Sequence, residues 1–292
     1  MHPTVTCLID AGCALGEGPV WDERGSVLWW VDIKNPAIHR IDPASGEHRR
    51  WPAPEAVTAV ALREAGGLVC AMQHGFAFFD PETGGFHPIA DPQADTPGAR
   101  MNDGKCDRLG RFWAGGMDDA EKAPIGDLFS LDPGLGWQRV PIGFVVTNGI
   151  SWSGDGRSFY LCDSDNRRIY AYDFEMGTGG LGERWLFTAF DETEGFPDGL
   201  CVDAEDHVWV AHWDGGRVSR RRPDGSIATV ISLPAPRTTS CCFGGADLDI
   251  LYVTSARVGL DEAALAHQPL SGAVFAVTGL GVKGRPMARF KG

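Results

Sequence analysis

Short apolar runs alternate with polar punctuation along the whole chain. The runs are four to six residues long, rich in Val, Ile, Phe, Trp and Tyr, and bounded by Gly, Pro and Asp, which reads as strands rather than helices. Val20-Trp21-Asp22 leads to Leu28-Trp29-Trp30-Val31-Asp32 and then to Ile38-His39-Arg40-Ile41-Asp42-Pro43. The same plan returns five times: a polar opening with glycine, a short strand, a turn of the Asp-x-x-Gly kind, an aromatic-rich strand, and a strand running towards Asp-Pro-x-x-Gly. The repeats span Gly16 to Glu47, Thr58 to Gly85, Asn102 to Gly136, Thr147 to Gly182, Pro197 to Ser226 and Ser240 to Gly281. Their turn positions Asp22, Arg63, Asp107, Ser153, Asp203 and Gly245 lie 41 to 50 residues apart, the size of one four-stranded blade. No segment of ten or more residues has a strong helical period; Asp261 to Ala266 amounts to one or two turns. The pattern predicts an all-β protein, a six-bladed β-propeller forming a single domain over residues 1–292. Either the N-terminal stretch Val5–Leu8 or the C-terminal stretch Ala288–Phe290 supplies a strand that closes the ring; the sequence leaves both open.

Five residues before each turn position stand Glu17, Thr58, Asn102, Asn148, Asp198 and Ser240. Four of these are carboxylates or amides, and the other two are hydroxyls. The first strand of a propeller blade lines the central channel, so equivalent positions share one height around the axis. Residues distant in sequence would then form one polar ring. Any single Asn-Gly or Asp-Gly reads equally well as a hairpin turn; four at one blade-equivalent offset argue for the ring. Two carboxylates with one or two amide oxygens suit a hard divalent cation.

Composition narrows the partners. A formal net charge of −13 argues against nucleic acid, because phosphate contacts need clustered Lys and Arg. The short clusters Arg49-Arg50 and Arg220-Arg221-Arg222 read as solvated strand ends or loops. Residues Met1 to Cys7 show neither a cationic region nor a long apolar run, so no signal peptide is expected. No window approaches the ~20 apolar residues of a membrane span. The eight cysteines include no C-x-x-C pair, and most sit in strand-like runs, the pattern of buried thiols in a reduced, cytoplasmic protein.

At the ring residues the chain resembles the regucalcin/gluconolactonase family of sugar-lactone hydrolases. The stretches that carry the resemblance are Leu15-Gly16-Glu17-Gly18-Pro19-Val20-Trp21, Arg100-Met101-Asn102-Asp103-Gly104-Lys105-Cys106-Asp107, Thr147-Asn148-Gly149-Ile150 and Phe196-Pro197-Asp198-Gly199. Cys242-Phe243-Gly244-Gly245 and Leu251 to Arg257 add to it, so it extends over essentially the whole chain. The resemblance implies that Glu17, Asn148 and Asp198 ligate one divalent metal, that Asp198 also acts as general acid/base, and that Arg100 and Asn102 bind substrate. Calcium is the expected ion, with Zn²⁺, Mn²⁺, Mg²⁺ and Fe²⁺ as alternatives. The family carries a further acidic substrate contact after Gly115-Gly116-Met117; here the strict register falls on Ala120, and that contact is left unassigned.

The function so implied is metal-dependent hydrolysis of an aldonolactone to the aldonic acid by a cytoplasmic monomer. A cation would polarise the lactone carbonyl, and a carboxylate would move the proton from water to the leaving oxygen. A carboxylate that ligates a cation is a poorer base, so Asp198 could be a ligand only. Two alternatives use the same site: a metal-binding regulatory propeller without turnover, and an esterase or phosphotriesterase. His74, His207 and His212 read as packing or surface histidines. Trp29, Trp30, Trp152 and Trp213 read as blade core, with Trp213 also a candidate floor for a sugar.

Overall fold

The computed structural model describes residues 3–292; Met1 and His2 lie outside the described residues, and the reading of the first seven residues falls partly on them. Six four-stranded sheets follow one another along the chain. Blades 1 to 5 occupy residues 16–52, 57–90, 99–144, 147–189 and 196–232. Blade 6 takes three strands from residues 237–278 and its outermost strand from Thr4–Ile9, which pairs antiparallel with Val274–Thr278. The N-terminal candidate therefore closes the ring. The innermost strands, Gly16–Asp22, Val57–Leu62, Ala99–Cys106, Thr147–Trp152, Phe196–Val202 and Arg237–Gly244, touch their neighbours in cyclic order, the last meeting the first.

Apolar side chains from both faces of each blade fill the gaps between blades. Val31 and Ile38 of blade 1 pack with Val60 and Cys70 of blade 2, and Trp209 and Val218 of blade 5 with Phe243 and Val253 of blade 6. Blades covered on both sides explain the near-continuous apolar inner strands. Outermost strands such as His48–Pro52 and Ile227–Ser232 face water and are polar or mixed. The repeating turn aspartate is an anchor. Buried Asp107 accepts from the backbone N–H of Leu109 and Arg111 and from the Trp113 indole at 3.0 Å. Asp203 does the same for Glu205, His207 and the Trp209 indole at 2.9 Å. One basic cluster departs from its sequence reading. In strand Arg217–Arg221, which neighbouring blades cover on both faces, Arg221 is 3% exposed, lies over the Phe190 ring and pairs with Glu194 at 2.6 Å, and Arg220 pairs with buried Asp203 at 2.7 Å.

The C-terminal candidate strand has a different task. Residues 283–292 cross the far mouth of the channel. Lys283 O accepts from Ala204 N in blade 5, Gly284 N donates to Leu248 O in blade 6, and Arg289 pairs with Asp22 in blade 1. Phe290 N donates to Leu62 O and its carbonyl accepts from Glu64 N in blade 2, both at 2.8 Å, while Lys291 N donates to Gly110 O in blade 3. The Phe290 ring is fully buried among Phe78, Phe112 and Phe129. Phe290→Ala is expected to cost about 3–5 kcal/mol, the range for truncating a buried aromatic, read as a shift in the urea midpoint.

Among the described residues helix is confined to Glu262–His267, N-capped by the Asp261 side chain, and a single turn at Glu192–Glu194. Among the described residues no helix is long and apolar enough to cross a membrane.

Candidate functional site

Every innermost strand breaks register near its ring position. The breaks fall between Glu17 and Val20, Val57 and Ala59, Met101 and Gly104, Asn148 and Ile150, Pro197 and Leu200, and Thr238 and Cys241. A bulge leaves a residue out of the ladder and re-aims its side chain. Repeated around the ring, it directs equivalent side chains towards one point. Glycine makes the crowding tolerable. Gly149 has φ +44°, and a Cβ there would lie 2.6 Å from the Asp198 carbonyl oxygen and strike the Cys162 sulfur.

Glu17, Arg100, Asn102, Asn148 and Asp198 all line one cavity of about 270 Å³. Blades 1, 3, 4 and 5 thus contribute side chains separated by up to 181 positions (Glu17 to Asp198) to one space. The two hydroxyl positions do not reach it: Thr58 donates to Ala71 O at 3.3 Å, and Ser240 lines a smaller space deeper in the channel. Of Glu17, Arg100, Asn102, Asn148 and Asp198, four are braced by hydrogen bonds; Asp198 is the exception. Arg100 donates through Nε to Asp119 at 2.8 Å and through Nη1 to Met101 O and Asn102 Oδ1, both at 2.9 Å. Asn102 donates in turn to Thr147 O at 2.9 Å, tying blade 3 to blade 4. Glu17 Oε2 accepts from Gly18 N at 2.9 Å, and Asn148 Oδ1 accepts from Gly149 N at 3.3 Å. Ile33, Met117, Phe196 and Trp213 form an apolar wall, and Arg237 lies 4.8 Å above the Trp213 ring.

The carboxylates are costly as they stand. Glu17 and Asp198 are 7% and 5% exposed, and Asp198 Oδ1 has no hydrogen-bond partner. Burial, then the nearby charge of Asp103, pushes the Glu17 carboxyl up to about 8. Burial, then the charges of Glu17 and Asp103, pushes Asp198 well above the usual carboxylate range. A divalent cation would relieve both penalties and satisfy the orphaned oxygen. Glu17, Asn148 and Asp198 are the oxygen donors that could hold it. An acid whose folded pKa is raised binds protons more tightly when folded, so it destabilises the fold once ionised. For Glu17 that penalty is absent below its ordinary value of 4.5, grows as pH rises, and is full above about 8. Metal-free protein is therefore expected to lose thermal stability from about pH 5 to about pH 8, and saturating Ca²⁺ to flatten that slope. Melting temperatures across this range, in chelator and in Ca²⁺, measure it.

Sequence reasoning missed Glu121, which lines the cavity. The Asp118 carboxylate gathers the N–H groups of Ala120, Lys122 and Ala123, and Glu121 adopts φ +54°. That left-handed residue displaces the loop from the strict register that pointed to Ala120. The acidic run Asp118-Asp119-Ala120-Glu121 was the available signal. It also missed Asp119 as the brace of Arg100, and Ser164 and Asp165 on the cavity lining. His212 is a core histidine, fixed between Glu194 O at 2.7 Å and Ser219 Oγ at 2.8 Å, and burial lowers its pKa to about 3. Seven of the eight cysteines are buried, all eight are free thiols, and Cys7 is exposed.

The SMP-30/Gluconolactonase/LRE-like region matches residues 15–257. The chain is 40% identical to regucalcin of Danio rerio over 99% of its length and 98% of that protein. The solved structure of regucalcin from Agrobacterium tumefaciens, described as a calcium-binding protein, superposes with a TM-score of 0.93 at 30% identity over 98% of this chain and 96% of that one. A gluconolactonase from Xanthomonas campestris shares the fold, with a TM-score of 0.76 at 21% identity over 94% of this chain and 89% of its own. With its repeats, its ring and its full-length relatives in agreement, the chain belongs to the SMP-30/gluconolactonase/LRE-like family.

Proposed function

We propose that this protein is a divalent-cation-dependent hydrolase of aldonolactones. The observation that carries the reading is the single cavity in which two buried carboxylates, two amides and a guanidinium converge from four blades. The family's description includes gluconolactonase, and the Agrobacterium relative is described as calcium-binding; both support it.

Glu17, Asn148 and Asp198 would hold the cation, and hard oxygen donors favour Ca²⁺. When bound, the cation supplies a Lewis acid for the lactone carbonyl. Asp198 takes the proton of the attacking water and returns it to the departing ring oxygen. Arg100, immobilised by Asp119, donates to substrate oxygens, and Asn102 fixes a hydroxyl beside it. Glu121 accepts from substrate hydroxyls, and Trp213 offers a flat apolar face to the sugar's C–H groups.

A panel of glucono-, galactono-, arabinono- and xylonolactone, assayed by acid release with and without EDTA, tests the reading. Hydrolysis is expected to vanish in EDTA and to return with an added divalent cation. Full activity in metal-stripped protein would sink the cation's role. Cation binding without hydrolysis of any lactone would favour a regulatory propeller, the reading that the calcium-binding relative supports. Turnover of aryl esters or phosphotriesters alone would assign the site to those substrates.

A further inference from the structure

Beyond the cavity, deeper in the channel, lies a charged residue that the proposed chemistry leaves idle. Asp103 follows Asn102 in the bulge of blade 3, is 7% exposed, and borders an enclosed space of about 10 Å³ with Gly18, Lys105 and Ser240. The C-terminal segment, through Met287 and Ala288, borders the same space from the far mouth. Asp103 Oδ1 accepts from Gly104 N at 2.7 Å and Oδ2 from Ile150 N of blade 4 at 3.3 Å. The Lys105 ammonium opposes the charge of Asp103 and donates to Leu200 O at 2.6 Å.

Asp103 thus joins Glu17 and Asp198 as a buried carboxylate of the channel, sharing a space with Gly18, the residue after Glu17, and accepting from Ile150, two residues after Asn148, and its charge raises both of the other carboxyls. With all three ionised their charge is −3, Lys105 returns +1, and Arg100, which also acts on Glu17, is offset by its ion pair with Asp119. The remaining −2 is what one divalent cation neutralises. A buried carboxylate that merely tied two strands together would be a poor choice so close to two others, because like charges in a dry site oppose folding. The orphaned Asp198 Oδ1 leaves the cluster one unpaired buried acceptor, which a cation would satisfy.

We propose that Asp103 is a positioning residue for the cation centre: it touches neither cation nor substrate, and its charge, held behind Glu17 and Asp198, sets how tightly a divalent ion is bound. This rests on the reading of Glu17, Asn148 and Asp198 as the ligands. Lys105 opposes it, so the two residues tune the affinity in opposite directions.

The test is calorimetric titration of metal-stripped protein with Ca²⁺, paired with thermal melts of the same stripped samples at pH 8. Asp103→Asn is expected to bind Ca²⁺ about 10–100-fold more weakly, the range for groups that support metal ligands without touching the metal. The stripped variant is expected to melt at a higher temperature than stripped wild type, because one repelling charge is gone. A purely structural role moves the melt the other way, since an amide cannot accept both backbone N–H bonds. Unchanged affinity, or weaker binding with a lower stripped melting temperature, overturns the proposal. Lys105→Gln is the complementary variant should Asp103→Asn not fold: tighter Ca²⁺ binding is expected, and unchanged or weaker binding overturns the proposal. Wild type that binds no divalent cation would instead remove the ligand reading on which the proposal stands.

Discussion

Asp198→Asn is expected to lower kcat about 10²–10⁴-fold at saturating cation, the usual cost of losing a general base. Asn148→Asp and Asn102→Ala are expected to cost far less. Asp198 is the residue asked to do two things, to hold the cation and to carry the proton. The asparagine keeps the shape and one carbonyl oxygen, so the ion still binds when supplied in excess. What disappears is the proton acceptor. Cation occupancy has to be measured beside the rate, because an empty centre imitates the same loss. Turnover near wild type in the loaded variant would make Asp198 a ligand only, leaving the fold and the cavity as described.

Gly149→Ala is the second large effect. A left-handed alanine costs about 1–2 kcal/mol and overpacking about 1–3 more, so the fold should lose about 2–5 kcal/mol. The new methyl would press on the Asp198 carbonyl oxygen and the Cys162 sulfur. Ca²⁺ affinity should fall with stability, because the residue separates Asn148 from its neighbour across the blades. Gly46→Ala is the control. Its φ is +75°, but nothing lies within 4 Å of the added carbon, so only the backbone cost remains. Equal urea midpoints for the two variants would mean that the clash at Gly149 is relieved by small movements.

The architecture was legible because it is periodic. Six turns at near-constant spacing announce six blades, and a fixed offset from each turn finds the residues that face the axis. That rule works for Glu17, Asn102, Asn148 and Asp198 because each lies in a strand, where register passes from one blade to the next. It fails for Glu121, whose loop has no strand to keep count and whose backbone turns left-handed. Arg221 was misread for a related reason: a run of three arginines looks solvated until the packing of blade on blade brings Arg221 to Glu194 and Arg220 to buried Asp203. Nor does spacing reveal Asp119, whose partner is fixed by a loop's path rather than by a repeat.

Ring closure by Thr4–Ile9 has a consequence for how the protein is made. The strand and its partner are separated by 270 residues, as in the bond from Thr6 Oγ1 to Ala276 O. At about 5–20 residues per second, a ribosome needs on the order of 15–55 s to cover that distance. Throughout that time the first strand is an edge without a partner, emerging alone while blades 1 to 5 are completed behind it. Unpaired strand edges are templates for association between chains. That waiting edge, Thr4-Val5-Thr6-Cys7-Leu8-Ile9, carries no charge, and the exposed Asp10 that directly follows it is the charge best placed to discourage such pairing.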